Sequence, residues 1–183
     1  MALGSDAECG EDCTDNESSL GGGHTSEMLS LAAALDRRRF CPRVYVAAAG
    51  DSLSGERALR TEEEDGARLE TIPRSRRVGQ SWVSSVWTTA VAMLAALRLV
   101  FTVRPRLVLA NGPGTCVPVC LSALLMKWLL WRPVHVTFVE SVCRVRSLSL
   151  SGQILYRLAD DVIVQWPELL QRYPRALYMG RLV

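Results

Sequence analysis

Lysine and histidine are nearly absent from this chain: of its 21 Lys and Arg residues only Lys127 is a lysine, and His24 and His135 are the only histidines. Few histidines and poorly spaced cysteines exclude the common zinc frameworks, because Cys9/Cys13 and Cys116/Cys120 stand four apart and never form Cys-x-x-Cys. No secretory signal is recognisable, and Cys116, Cys120 and Cys143 lie in apolar segments, so the six cysteines are not expected to form a disulfide scaffold. A reducing, cytosol-facing location is the expectation. No repeat and no Gly-X-Y period occurs, which removes solenoids, collagen and coiled coils. There is no P-loop, no Ser/His/Asp arrangement and no paired-carboxylate motif. The aromatics sit mostly in apolar segments and not along a basic stripe, which speaks against nucleic-acid binding.

What is present is enough for one domain: 183 residues, 49% hydrophobic and 22% charged. Charge is unevenly spread. Met1 to Leu20 carries Asp6, Glu8, Glu11, Asp12, Asp15 and Glu17 without a cation, so the remainder is net basic. Guanidinium groups suit bidentate phosphate or carboxylate binding, although codon bias explains the same excess of arginine. Residues 1–20 are too polar and small to offset the cost of ordering and read as a disordered acidic tail. From Gly21 a single domain over residues 21–183 is expected, opening with a glycine run, Thr25 as helix N-cap, and Met28, Leu31, Ala32 and Leu35 at helical spacing. Arg37, Arg38 and Arg39 suit that helix's C-terminus.

Beyond it, β-type runs at Val44–Ala48, Leu69–Ile72, Leu107–Ala110, Val134–Val139, Val162–Gln165 and Leu177–Tyr178 alternate with helical stretches. The helices are expected at Ser81–Val103, Thr115–Leu130, Ser151–Ala159 and Pro167–Arg172. Continuously apolar runs such as LVLA and VHVTFV suit strands covered on both faces. The pattern predicts an α/β fold, an open, mostly parallel Rossmann-like sheet. Asp51 to Arg68, with its acidic run, reads as a solvated excursion.

Trp82 to Val103 is long and apolar enough to span a bilayer, with Arg98 its only charge. Trp82, Val86, Ala90, Met93, Leu97 and Val100/Phe101 share one stripe, and Ser84, Thr88, Arg98 and Thr102 share the opposite one. A two-faced helix lies in an interface or packs on a sheet more readily than it spans. Arg74, Arg76 and Arg77 before it and Arg104 and Arg106 after it suit anionic headgroups. The helix near 82–103 is therefore expected to be interfacial, with a core helix and a transmembrane span as alternatives. Thr115 to Trp131, with Pro118 in its first turn, is short for a span and reads as buried or interfacial.

Two loops could carry ligand chemistry. Gly21-Gly22-Gly23-His24-Thr25 opens a helix and offers bare N–H groups at its positive end, as a phosphate cradle would, or is a linker. No strand-like run precedes it. Asn111-Gly112-Pro113-Gly114-Thr115 joins a strand to a helix at the carboxyl end of a central strand, where open α/β sheets bind ligands, or is only an efficient turn. Glu140 ends the next strand, with Arg144 just beyond. Such a carboxylate can accept from a sugar hydroxyl or take a proton and Arg144 can pair with a diphosphate, or the two simply pair with each other. His24 is a lesser general-base candidate, and His135 reads as a satisfied core residue.

Taken together, Gly22-Gly23-His24-Thr25, Pro73-Arg74-Ser75-Arg76, Gln80-Ser81-Trp82, Asn111 to Pro118, Val139 to Arg144, Ser149-Leu150-Ser151-Gly152, Val164-Gln165-Trp166-Pro167 and Tyr178 to Val183 resemble one family. It is the membrane-anchor, acceptor-binding subunit of the two-component UDP-N-acetylglucosamine (UDP-GlcNAc) transferase that adds the second GlcNAc to dolichyl-diphosphate-GlcNAc. The resemblance implies the N-terminal half of a two-lobed GT-B glycosyltransferase, inactive alone, without cofactor or metal. It implies a cytosolic UDP-GlcNAc-binding catalytic partner, recruited to the cytosolic face of the endoplasmic reticulum membrane and its nuclear-envelope extension, and a lipid acceptor presented by this chain. By the same resemblance Gly22, Gly23, Thr25, Asn111, Gly112, Gly114, Thr115 and Arg144 bind the acceptor diphosphate, and Glu140 or His24 orients or deprotonates the acceptor hydroxyl. Arg74, Arg76, Arg77, Trp82, Trp87, Leu94 and Phe101 face the membrane; Gly180, Arg181, Leu182 and Val183 dock the partner. Family members begin with an anchor and a first β-strand, and the acidic tail replaces both. The sheet is thus expected to lack its first strand, with weakened membrane attachment; the alternative is an impaired or scaffold-only variant.

Overall fold

A computed structural model describes residues 2–4, 23–36, 39–49, 67–74, 82–112 and 114–182, with the backbone course alone for 2–4, 23–25 and 82–84. Among these residues seven strands form one sheet: β1 (Ala2–Gly4), β2 (Arg43–Ala48), β3 (Arg68–Ile72), β4 (Leu107–Asn111), β5 (His135–Val139), β6 (Asp161–Val164) and β7 (Leu177–Tyr178). Their order in space is β3-β2-β1-β4-β5-β6-β7. The helices are α1 (Gly23–Ala33), α2 (Trp82–Val103), α3 (Cys116–Leu130), α4 (Leu150–Leu158) and α5 (Glu168–Arg172). The expected α/β alternation is present, and Arg68, assigned in the sequence to a solvated excursion, is the first residue of β3.

The central position holds a departure. β1 pairs antiparallel with both β2 and β4, while every other pairing in the sheet is parallel. A doubly wound sheet gives this place to its parallel first strand; here Ala2–Gly4 fills it in reverse. The reading of residues 1–20 as a wholly unstructured tail is corrected at these three positions. The physical reason is unpaired backbone: β2 and β4 each present a row of donors and acceptors to the gap, and three small or apolar residues suffice to pair both rows. Residues 5–22 lie outside the described residues.

Strand alternation sends side chains to two helical layers. Val108 and Ala110 of β4 and Val136 and Phe138 of β5 join Ala96 and Val100 of α2, Val119 and Ala123 of α3 and Leu155 of α4 in the main core. Leu109 and Val139, one step out of phase, meet Met28, Leu31 and Ala32 of α1 on the other face. Each layer is tied to its ends. Arg43, buried in β2, donates through its guanidinium to the carbonyls of Ala32 at 3.0 Å, Leu35 at 2.9 Å and Phe40 at 3.0 Å, satisfying the end of α1. The cation at that terminus therefore comes from the next strand; Arg37 and Arg38 lie outside the described residues. α2 and α3 end on the left-handed residues Arg104 and Trp131, and Pro105 and Pro133 follow and prevent continuation.

The face that α2 buries differs from the expected stripe. Ser85, Ala92, Ala96 and Val100 are buried, whereas Val86 and Ala90 are exposed. Small residues line the buried face because α2 runs close against α3, where Met93 Sδ lies 3.7 Å from the Ser122 hydroxyl, which donates to the Pro118 carbonyl at 2.7 Å. Ala92 and Ala96 are fully buried there. Ala96→Leu is expected to destabilise the fold by about 1–3 kcal/mol through overpacking, read as a lowered urea midpoint against the parent chain.

Candidate functional site

β4 and β5 are paired in register, with Asn111 opposite Val139, so their carboxyl ends deliver Asn111 and Glu140 to the same edge of the sheet. α1 packs over that edge and adds a buried carboxylate, Glu27. Its Oε2 accepts from Asn111 Nδ2 at 2.9 Å, and its Oε1 accepts from Ser141 Oγ at 2.8 Å and from the Val142 amide at 3.3 Å. One side chain thus joins α1, the end of β4 and the turn after β5. Glu27 was not singled out in the sequence. The signal was there: it shares the helical stripe of Met28, Leu31, Ala32 and Leu35, and a carboxylate in an apolar stripe is tolerated only when paired.

Glu140 is 2% exposed and held from the other side. Ser149 donates to its Oε2 from the backbone at 2.9 Å and from the hydroxyl at 3.1 Å, and the Ser141 amide donates to Oε1 at 3.3 Å. The same Ser149 hydroxyl accepts from the Gly152 amide at 3.0 Å, so the residue that caps α4 also anchors Glu140. Gly152 is required by this packing, since a Cβ there would overlap Glu140 Oε2. Burial pushes the Glu140 carboxyl above its ordinary pKa, against the lowering effect of the Ser149 and Ser141 donors and, least, of Arg144. Arg144 itself is exposed, beyond a turn in which its amide donates to the Ser141 carbonyl at 3.0 Å. The alternative of a Glu140/Arg144 hydrogen-bonded pair gives way to Glu140 on Ser149.

The rest of the expected site divides clearly. Gly112, with φ of 108°, Gly114 and Thr115 form the turn from β4 into α3, whose N-terminus lacks a side-chain cap. Gly23 opens α1, so Thr25 lies inside the first turn and not ahead of it as N-cap. Gly22 and the side chains of His24 and Thr25 lie outside the described residues, as do Arg76, Arg77, the Trp82 side chain and Val183. On α2, Trp87 and Leu94 are 73% and 67% exposed, but Phe101 packs against the main core and is not a free surface residue. Arg74 is exposed, its Nε donating to the Ala49 carbonyl at 3.1 Å.

The C-terminal segment is tied to the site. The Leu182 amide donates to Gln165 Oε1 at 3.3 Å, and Gln165 Nε2 donates to the Glu140 carbonyl at 3.1 Å. The Arg181 guanidinium lies 4.9 Å from the Trp166 ring centre, and Trp166 Nε1 donates to the Val142 carbonyl at 2.6 Å. Gly180 bends the chain here with φ of 87°. At the opposite end of β5, His135 is exposed and bonds Asp161 at 2.6 Å, correcting its assignment to the core: it is the first residue of its strand, with its ring beyond the packed layer. Among the described residues no cluster of three or more His, Cys, Asp or Glu could hold a metal ion. Burial pushes the Cys116 thiol up to about 12 and that of Cys120 well above its ordinary value, so both remain thiols.

Gly152→Ala is expected to displace the Glu140 carboxylate and cost about 1–3 kcal/mol by overpacking, checked by thermal unfolding and by the shift in the Ser149 amide resonance. A folded-state pKa raised by burial means that the fold favours protonated Glu140. That contribution to stability is complete below the ordinary glutamate pKa and is lost as pH rises through the raised value. Glu140→Gln is expected to flatten this part of the stability profile, measured by urea unfolding from about pH 4 upward.

The family of Alg14-like oligosaccharide biosynthesis proteins matches residues 19–182. The chain is 47% identical over 173 residues to the UDP-N-acetylglucosamine transferase subunit ALG14 of Mus musculus, covering 88% of this chain and 79% of that protein. It is 46% identical over 172 residues to the Homo sapiens protein of the same name, with the same shares covered. The Schizosaccharomyces pombe protein of that name is 41% identical over 165 residues, 87% of this chain and 78% of that one. Among solved structures, MurG of Acinetobacter baumannii, of GT-B fold, superposes with a TM-score of 0.56 at 19% identity. The match covers 81% of this chain and 40% of MurG, as one lobe of a two-lobed fold would, and it speaks to fold alone. A family match over nearly the whole length, with relatives this similar, shows that the chain belongs to the Alg14 family of oligosaccharide biosynthesis proteins.

Proposed function

We propose that this chain is the acceptor-binding subunit of a two-component UDP-GlcNAc transferase that adds the second GlcNAc to dolichyl-diphosphate-GlcNAc. A cytosolic partner holds the donor, and this chain brings it to the cytosolic face of the endoplasmic reticulum membrane. The observation that carries the reading is the convergence of Asn111, Gly112 and Glu140 at the carboxyl edge of β4 and β5, in a chain whose relatives are named as UDP-N-acetylglucosamine transferase subunits. The uncapped N-terminus of α3 behind Gly112 to Thr115 offers amide donors and a positive dipole end to the acceptor diphosphate. Arg144, exposed beyond the turn that follows Glu140, supplies a guanidinium for the same group.

In this proposal Glu140 takes the proton from the acceptor hydroxyl as its oxygen bonds to the anomeric carbon of the donor GlcNAc and UDP departs to the partner's site. Burial raises the proton affinity of Glu140 above that of an ordinary carboxylate, which strengthens it as a base. Membrane attachment falls to α2, whose residues from Ser85 to Val103 are apolar enough to cross a bilayer and are mostly not buried within the fold. Exposed Val86, Trp87, Val91 and Leu94 form an apolar face that suits insertion at the headgroup level. Docking of the partner falls to Gly180, Arg181, Leu182 and Val183, and Gln165 and Trp166 make that segment continuous with the Glu140 to Val142 turn. A scaffold-only role is favoured by one observation, that protein donors already occupy both Glu140 oxygens.

Co-expression with the donor-binding subunit, followed by membrane flotation, tests recruitment: the intact chain is expected to carry the partner to the membrane fraction and a chain ending at Met179 is not. In the recovered complex Glu140→Ala is expected to lower turnover by about 10²–10⁴-fold with partner binding and flotation retained. Unchanged turnover establishes the scaffold reading in its place.

A further inference from the structure

The Asn111 amide has one end committed and one end open. Nδ2 donates to Glu27 Oε2 at 2.9 Å, while Oδ1 is buried and has no hydrogen-bond partner among the described residues. The pairing fixes its orientation: Glu27 Oε2 accepts, so the NH₂ end faces Glu27 and the oxygen faces away. Asn111 is 6% exposed and Glu27 5%, so neither group can recover the lost hydrogen bonding from bulk water. A buried acceptor without a donor is costly to keep, and such groups mark places where something else supplies the donor. Asn111 ends β4 immediately before Gly112, at the edge where Glu140 also arrives.

We infer that Glu27 is a positioning residue that locks the Asn111 amide, so that Oδ1 accepts from a hydroxyl or acetamido N–H of the acceptor's sugar and selects sugar-bearing acceptors. This rests on the acceptor-binding reading above and deepens it. Glycosidic and phosphate oxygens are themselves acceptors and would be repelled by Oδ1, so Asn111 leaves the diphosphate to the Gly112 to Thr115 turn and faces the sugar instead. Oδ1 is covered, so this contact requires its cover to open as the acceptor enters. Glu27 acts on both halves of the edge: through Ser141 Oγ and the Val142 amide it also holds the turn that carries Glu140. Ser141 links the two carboxylates, giving its hydroxyl to Glu27 and its amide to Glu140.

The experiment uses the complex of the full chain with its donor-binding partner and two lipid probes, a short-chain isoprenoid diphosphate bearing GlcNAc and the same diphosphate without sugar. Binding is followed by ligand-induced thermal shift, and turnover with UDP-GlcNAc by radiolabel transfer. For Asn111→Ala the expected result is an affinity loss of about tenfold or more for the sugar-bearing lipid, as for a lost hydrogen bond in a buried site, with affinity for the bare diphosphate and the KM for UDP-GlcNAc unchanged. Glu27→Gln is expected to lose the same selectivity, with a partial return in Glu27→Asp. Equal losses for both lipids would place Asn111 on the phosphates and overturn the inference, as would no loss for either. A parent complex that binds the sugar-bearing lipid selectively without turning it over overturns the catalytic reading and leaves this inference standing. A parent that binds both lipids alike overturns this inference alone, and one that binds neither overturns both. If Glu27→Gln melts before binding can be measured, Asn111→Ala decides, because it removes no anchor of the Glu140 turn.

Discussion

Two buried carboxylates at one edge of the sheet set the requirements that the surrounding structure meets. A carboxyl group removed from water is tolerable only with hydrogen-bond partners placed around it, and most of the partners of Glu27 and Glu140 come from other elements. Glu27, on α1, is met by Asn111 from β4 and by Ser141 and Val142 from the turn after β5. Glu140 is met by Ser149 at the start of α4. The two networks share Ser141 and so brace α1 and two strand-to-helix connections against one another. Gly152 is a consequence of the same constraint, since the space its missing side chain leaves is where the Glu140 oxygen sits.

The sheet beneath this edge shows how strongly unpaired backbone is penalised. The central gap between β2 and β4 is filled by three residues from the far N-terminus, running against all their neighbours. Hydrogen-bond pairing, more than side-chain packing, decides this, because Ala2–Gly4 has little apolar surface to offer. The parallel strand that usually leads into a glycine loop in such folds is not among the described residues, yet the sheet is continuous from β3 to β7.

The helical layer on one face meets two opposing demands. α2 buries a line of small residues against α3 and turns bulky apolar ones outward, the inverse of a soluble core helix. Close approach of two helices favours alanine and serine at the contact, as between helices within membranes. The large side chains so displaced, Trp87 and Leu94 among them, are left for another apolar partner. That arrangement is what the proposed attachment at the bilayer surface requires.

Much of the fold was legible in the sequence because it depends on local periodicity and composition. The continuous apolar runs at Leu107 and Val134 marked buried parallel strands, and the glycines after Asn111 marked a strand-to-helix turn at a carboxyl edge. Glu140 was visible as a carboxylate ending a strand. What the sequence by itself determined was therefore the order of the elements, the fold class and the strand ends that carry Asn111 and Glu140, since each is set by residues near one another along the chain. Only the tertiary structure decided which donors meet each carboxylate, which face of α2 is buried, that Arg43 closes α1, and that Ala2–Gly4 completes the sheet. Those contacts join residues as far apart as Glu27 and Val142, and periodicity along one element carries no information about which partner another element will bring to it.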